Sequence, residues 1–153
     1  PTYDPNLLVG RIRGHNFNAL NNDPQKPLFN RATQAQYRPG SIFKLAQSLT
    51  ALQTGAITPQ TRIHCNRGVI GCHGNHSNDD LEMAIVHSCN PYFREVMHRV
   101  VEANRDKGSR FKDARLGLEI WQGYIKQFGF GTDVHCDIPG VKTGSVPGVS
   151  LTL

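Results

Sequence analysis

The chain has 153 residues, 38% hydrophobic and 19% charged, with a formal net charge of +5. That composition excludes a disordered chain and suits one globular domain with a core of its own. No apolar run reaches the roughly 18 residues that span a bilayer, no leader sequence is visible, and the basic residues form no nucleic-acid footprint: Arg11 and Arg13, Arg94 and Arg99, and Arg105, Lys107, Arg110 and Lys112 are scattered, as on a solvated surface.

The start at Pro1 without Met, and an end at Leu153 without a cap signal, read as a piece of a longer protein. Residues 1–40 are broken by Pro1, Pro5, Pro24, Pro27 and Pro39, which predicts a loop-rich lead-in with a short strand near Leu7-Leu8-Val9. The first helix is expected over 41–54. Pro39-Gly40 punctuates its start, Gly55 suits its C-terminal end, and Phe43, Ala46, Leu49 and Leu52 recur at helical spacing. Residues 58–78 form a loop rich in Cys, His, Gly and Asn. A short helix follows at 79–87, with Asp79 and Asp80 in its first turn, where acids complement the helix dipole.

Asn90-Pro91 has the form of an N-cap with proline at the first helical position. The helix it opens runs to about Asn104 with Tyr92, Phe93, Val96, Met97, Val100 and Val101 on one face. A polar linker, Arg105 to Asp113, leads to a last helix near 115–128 that Gly129 stops; Trp121, Tyr124 and Phe128 are its expected core contribution. Residues 129–153 are a turn-rich tail. The divisions are therefore a lead-in (1–40), a helical subdomain (41–128) and a tail (129–153). There is no internal repeat, and the elements alone give a mainly α domain with almost no strand.

Two short patterns carry chemistry. In Tyr37-Arg38-Pro39-Gly40-Ser41-Ile42-Phe43-Lys44, a serine and a lysine lie three apart at a helix start, so both side chains share one face. A serine is too weak an acid to attack a carbonyl unaided, and a neutral amine beside it can serve as general base. Lys44 is neutral only if burial or a nearby positive charge lowers its pKa. The second pattern is Ser88-Cys89-Asn90, a Ser-x-Asn that offers a proton relay (Ser88) and an amide (Asn90) to hold Lys44 and substrate. The competing readings are plain ones: Ser41 as an N-cap, Lys44 as a surface cation, Asn90 as the N-cap before Pro91.

Together these motifs resemble a family. Asn30-Arg31-Ala32, Tyr37-x-Pro39-Gly40-Ser41-x-Phe43-Lys44, His87-Ser88-Cys89-Asn90-Pro91-Tyr92-Phe93, and Phe128-Gly129-Phe130-Gly131 with Asp137-Ile138-Pro139 and Gly144-x-x-Pro147 are similar, in order, to landmarks of class B penicillin-binding proteins. The opening Tyr3-Asp4-Pro5-Asn6 resembles the segment that precedes them, and the cell-elongation subgroup, penicillin-binding protein two, fits best. The resemblance implies a fragment of an α/β (α+β) β-lactamase/transpeptidase-like domain, mainly α because most of the sheet lies outside this chain. It implies a parent protein that is a peptidoglycan D,D-transpeptidase: Ser41 forms the acyl-enzyme, with Lys44, Ser88 and Asn90, on stem peptides or β-lactams, with no organic cofactor. It places the parent on the extracytoplasmic face of the inner membrane, facing the periplasm, membrane-anchored, with cell-wall elongation partners and a role in cell shape. Ile42 departs from the family's usual small residue. Lys142-Thr143-Gly144 spells the family's third motif, but it lies between Pro139-Gly140 and Pro147-Gly148, poor material for a central strand, and reads as a coincidence.

Cys65, Cys72, His73, His76 and His87 form a separate constellation. A structural zinc site (Cys65, Cys72, His73 and His76), a Cys65–Cys72 disulfide, and free polar residues in a loop all remain open; the spacing matches no standard finger. Two other functional classes stay in view: a non-catalytic β-lactam sensor of the same fold, and a small zinc-stabilised interaction domain. With the sheet absent, the apolar faces of the 41–54 and 91–104 helices are expected to be exposed, so that the fragment self-associates. Without the strand that completes the oxyanion hole, the fragment is expected to be inactive alone.

Overall fold

A computed structural model describes residues 2–102, 110–133 and 135–148. The linker expected at 105–113 falls largely outside these, as does the end of the tail. The chain divides into two compact units, Pro1–Tyr37 with Val134–Lys142, and Arg38–Asp133 with Thr143–Leu153.

The first unit is held by turns and caps more than by a core. The expected strand at Leu7–Val9 is instead a 3-10 turn, Pro5–Leu8, because the Asp4 carboxylate accepts the N–H of Asn6 at 2.9 Å and Pro5 presets the helical φ. Helix α1 (Arg13–Asn22) gives no periodic signal: it has no apolar stripe and no buried residue. The short α2 (Arg31–Gln34) starts from Asn30, whose side chain accepts the N–H of Ala32 at 3.1 Å. Arg31 donates to the carbonyls of Gln25 and Lys26. The landmarks Asp4-Pro5-Asn6 and Asn30-Arg31 thus act locally, as caps and turn clamps. The Lys142 N–H donates to the Thr33 carbonyl at 2.8 Å, so the late segment is laced to α2.

The second unit is helical. A 3-10 turn (Gly40–Ile42) feeds α3 (Phe43–Gln53). A two-stranded antiparallel sheet pairs β1 (Ile63–His64) with β2 (Asn78–Asp79) in the register Ile63↔Asp79 and His64↔Asn78. Then come α4 (Leu81–Val86), α5 (Asn90–Glu102) and α6 (Arg110–Gln127). Helix α4 begins two residues later than expected, since Asp80 is its N-cap, accepting from the Met83 N–H at 3.1 Å. Asp79, expected in the first helical turn, belongs to β2 and is buried.

Helix α5 is the centre of this unit and packs on α3, α6 and β1. Its Tyr92, Phe93, Val96 and Val100 join Ala46 and Ala51 of α3, and Trp121 and Ile125 of α6, in one core. Each such large side chain contributes about 1.5–3 kcal/mol by leaving water. Trp121 is in this core, edge-on to Phe43, whereas Phe128 is 46% exposed. The expectation of two exposed helix faces is not met: the apolar face of α5 is covered, and on α3 Phe43, Ala46 and Leu52 pack on the core, leaving Leu49 exposed together with Ile42 and Leu45.

Helices α5 and α6 approach closely at Gly117, where an added Cβ would collide with the Val101 carbonyl. Gly117→Ala is therefore expected to force the helices apart and cost at least about 1–3 kcal/mol, as overpacking does. Chemical denaturation of the transpeptidase domain reads this directly; an unchanged midpoint would show that the helices do not meet there.

Candidate active site

The 3-10 turn lifts Ser41 just ahead of α3, and Lys44 follows in the first turn of the helix proper. Gly40 makes this possible: its φ of +63° lies in the left-handed region that glycine enters without strain. Ser41 is not an N-cap. The residue at that position of α3 is Ile42, which makes no side-chain cap, so the Ser41 hydroxyl is left for other work. Ile42 itself is 76% exposed.

The Ser88–Asn90 turn joins α4 to α5. Ser88 has φ +51°, a left-handed conformation that costs a non-glycine residue of order 1 kcal/mol and persists only when its surroundings enforce it. They do so through Lys44, whose Nζ donates to the Ser88 carbonyl at 2.5 Å, to Ser88 Oγ at 2.9 Å and to Asn90 Oδ1 at 2.6 Å. Ser88 Oγ lies 2.9 Å from Ser41 Oγ. The structure thus brings together all four residues singled out in the sequence. Among the described residues Lys44 bonds Ser88 and Asn90 but not Ser41, so the amine reaches the Ser41 hydroxyl only through the Ser88 hydroxyl. Asn90 has a further duty: its Nδ2 donates to the Gly71 carbonyl at 2.9 Å, which fixes which end of the amide faces Lys44. The side chain expected to cap α5 is occupied twice over by these contacts.

Burial pushes the Lys44 pKa below its ordinary 10.5, while the charges of Cys72 and Cys89 push it back up. The Phe93 ring, 5.5 Å from Nζ, also favours the cation. Beside this group an open cavity of about 370 Å³ is lined by Phe43, Lys44, Ile70, Asn90, Phe93 and Arg94, among others.

A second cluster adjoins it. Ligand atoms of Cys65, Cys72, His76 and Cys89 all lie within 4.8 Å of one another. His76 Nε2 is 3.5 Å from Cys72 Sγ and 3.9 Å from Cys65 Sγ. A tetrahedral zinc with sulfur at about 2.3 Å and nitrogen at about 2.0–2.1 Å requires donors about 3.5–3.8 Å apart, so the set fits that ion. Here the sequence reading needs correcting: His73 is exposed and offers only its carbonyl, 3.1 Å from His76 Nε2, and Cys89 takes the fourth place. Periodicity could not reveal this, because Cys89 lies inside the Ser-x-Asn and is carried in by the α4–α5 turn. No disulfide is present; all four cysteines are free thiols. Asp79 stands behind the cluster. Its Oδ2 is 2.8 Å from His76 Nδ1, out of line for a hydrogen bond, and 3.1 Å from His87 Nδ1; the two rings stack at 4.5 Å. His87 is therefore an outer partner rather than a member of the thiol set.

Residues 1–150 match the family model described as penicillin binding protein transpeptidase domain. The chain belongs to that family. It is 27% identical to the peptidoglycan D,D-transpeptidase MrdA of Acinetobacter baumannii over 158 residues, which covers 96% of this chain and 21% of that protein. It is 36% identical over 113 residues to the peptidoglycan D,D-transpeptidase PbpA of Mycolicibacterium smegmatis, covering 63% of this chain and 23% of the relative. The crystal structure of Pseudomonas aeruginosa PBP2 in complex with WCK 5153 superposes with a TM-score of 0.73 at 28% identity, covering 98% of this chain and 33% of that one. The chain thus spans about a fifth of the MrdA length and a third of the solved structure, which fits a mainly helical part of the transpeptidase fold with a two-stranded sheet. Lys142-Thr143-Gly144 forms no strand, and Gly144 has φ +79°.

Nucleophile activation by Lys44 needs the neutral amine. Acylation of Ser41 is therefore expected to speed up as pH rises through the lowered Lys44 pKa and to level off above it. The ascending limb of a pH–rate profile of the full-length parent protein should have its midpoint below 10.5. Lys44→Arg, which stays protonated, should lose the limb and at least about 10²-fold in rate. A midpoint at or above the ordinary value would remove Lys44 as the base.

Proposed function

We propose that this chain carries the nucleophile-bearing half of a peptidoglycan D,D-transpeptidase site, and that its parent protein cross-links stem peptides through a serine acyl-enzyme. The observation that carries this reading is the chain Lys44 Nζ–Ser88 Oγ–Ser41 Oγ, with Asn90 anchoring the amine, in a member of the transpeptidase family. Ser41 Oγ attacks the carbonyl carbon of the penultimate D-Ala. Its proton passes by way of Ser88 to neutral Lys44, and returns the same way to the amine of the departing D-Ala as the C–N bond breaks. The amine of a second stem peptide then attacks the ester, forms the new amide and frees Ser41. A β-lactam enters by the same attack, and its acyl group stays on Ser41. The relatives' names as D,D-transpeptidases favour cross-linking over signal sensing. On this reading the parent works outside the cytoplasmic membrane, in the periplasm where there is one, because its substrate lies there, and we take it to be membrane-anchored beside the elongation machinery.

Incubating the full-length parent with penicillin should add one acyl group by intact mass, mapped to Ser41 and absent in Ser41→Ala. A parent that folds and takes up no adduct would overturn the assignment of the nucleophile.

We also propose that Cys65, Cys72, His76 and Cys89 hold a structural Zn²⁺, the fit of the donor set being its support. When bound, the ion cross-links the 65–76 loop to the turn that presents Ser88 and Asn90; it takes no part in the acyl transfer. Metal analysis of the parent should find one zinc per chain. Chelation should lower the apparent Tm by more than about 4 °C, upward of ~1 kcal/mol for a domain of this size. Chelation with no loss of stability would sink this reading.

A further inference from the structure

Cys65, Cys72 and Cys89 place three thiols in one cluster, although acyl transfer at Ser41 uses none of them. Cys65 and Cys89 are buried, while Cys72 is half-exposed and sits in a segment without regular structure. Cys72 also lies against the turn that carries Asn90, with its sulfur beside the Asn90 backbone N–H. The neighbouring Gly71 carbonyl accepts Asn90 Nδ2 at 2.9 Å, and Asn90 Oδ1 in turn takes Lys44 at 2.6 Å. The Gly71–Cys72 segment therefore holds the Asn90 side chain and touches its main chain. Any displacement of Cys72 is passed to the residue that anchors the Lys44 amine.

We propose that this cluster is a reversible redox-modification site, in which a disulfide oxidant joins Cys72 to Cys89 and so switches off acylation at Ser41. The Cys72 thiolate, the one a reagent can reach, attacks one sulfur of the oxidant R–S–S–R. A Cys72–S–S–R bond forms and RS⁻ leaves. Cys89 then attacks the Cys72 sulfur as its thiol proton passes to the departing sulfur, so that the internal disulfide forms and the second half of the oxidant leaves as RSH. Two protein thiols lose two electrons and two protons, and one oxidant disulfide becomes two thiols. Cys89 is the resolving partner in this proposal because it lies between Ser88 and Asn90, the two residues that hold Lys44, so that a bond to it acts on the site directly. The sulfurs start within 4.8 Å, so closing to the S–S length of about 2.05 Å moves them by under about 3 Å. A disulfide removes two donors from the metal set, so oxidation and metal binding exclude each other. This exclusion rests on the zinc reading; the thiol chemistry does not.

The test uses the full-length parent, treated with chelator and then with oxidised glutathione. The expected result is a loss of two hydrogen atoms by intact mass and a Cys72–Cys89 cross-linked peptide on non-reducing digestion. Penicillin uptake at Ser41 should slow by at least about tenfold, since an ångström of misplacement costs up to about 10²-fold, and dithiothreitol should restore it. Protein loaded with zinc should resist oxidation. Cys72→Ser should show equal acylation before and after oxidant. Should that variant fail to fold, the wild-type protein decides: recovery of acylation with dithiothreitol supports the switch, and no recovery overturns it. A cross-link to Cys65 in place of Cys89, no cross-link at all, or equal acylation of oxidised and reduced protein would likewise overturn the proposal. If the cross-link forms and acylation falls in a protein that binds no zinc, the zinc reading fails and the switch stands.

Discussion

A lysine amine drawn out of water needs acceptors, and the second unit is arranged around meeting that need for Lys44. Three oxygens converge on Nζ, two from Ser88 and one from Asn90. They come from a turn some forty-five positions away, so α3 and α5 must be packed before the amine is satisfied. The pieces that pack them are Gln47, whose side chain donates to the Phe93 carbonyl at 2.9 Å, and the core of Ala46, Ala51, Tyr92, Phe93 and Val96. Removing the turn would leave a partly buried amine without partners, and an unmet polar group out of water costs more than a typical hydrogen bond contributes. The Lys44–Ser88–Asn90 arrangement and the stability of the helix pair are one requirement seen from two sides.

The turn itself is held against its own preference. Ser88 adopts a left-handed conformation, and the residues flanking it are buried or clamped: Cys89 lies wholly inside, with its sulfur accepting the Tyr92 N–H, and Asn90 is tied to Gly71. Tyr92 sends its hydroxyl to the Thr61 carbonyl, which anchors the start of α5 to the segment before β1. Behind Cys89, Asp79 bridges toward His76 and His87. Strain at Ser88 thus persists because several independent contacts fix both its neighbours.

Much of the site was legible in the sequence because its members are carried by signals of short range. Ser41 and Lys44 are one helical turn apart, and Ser88 and Asn90 flank a single residue, so local spacing sufficed. The meeting of the two pairs is a long-range event, and only the ordered landmarks of the family suggested it. What failed to show did so for physical reasons. Helix α1 has Asn and Gly where an apolar stripe would stand, so no period marks it. Leu7-Leu8-Val9 has strand propensity, but Asp4 and Pro5 impose a turn. Asp79 looked like a helix-dipole acid and is a buried strand residue, because the adjacent Asp80 makes the cap. Cys89 was hidden by belonging to two patterns at once, and nothing in the loop spacing alone could exchange it for His73.

The two clusters also speak to each other through charge. Burial lowers the Lys44 pKa, and negative charge on Cys72 or Cys89 raises it. Burial pushes the Cys89 thiol up to about 12, so at neutral pH it is uncharged and spares Lys44 its field. The Cys72 thiol is moved the other way by its hydrogen bonds from Asn90 and His76, against the pull of burial. A bound divalent cation would deprotonate these thiols outright and set its own positive charge among them. Three thiolates and a neutral imidazole on such an ion would leave one net negative charge, less than the bare thiolates would present to the amine. The cluster therefore leaves the Lys44 amine least perturbed when its thiols are protonated. The burial of Cys89 favours that state, and the four-donor geometry suits a bound ion.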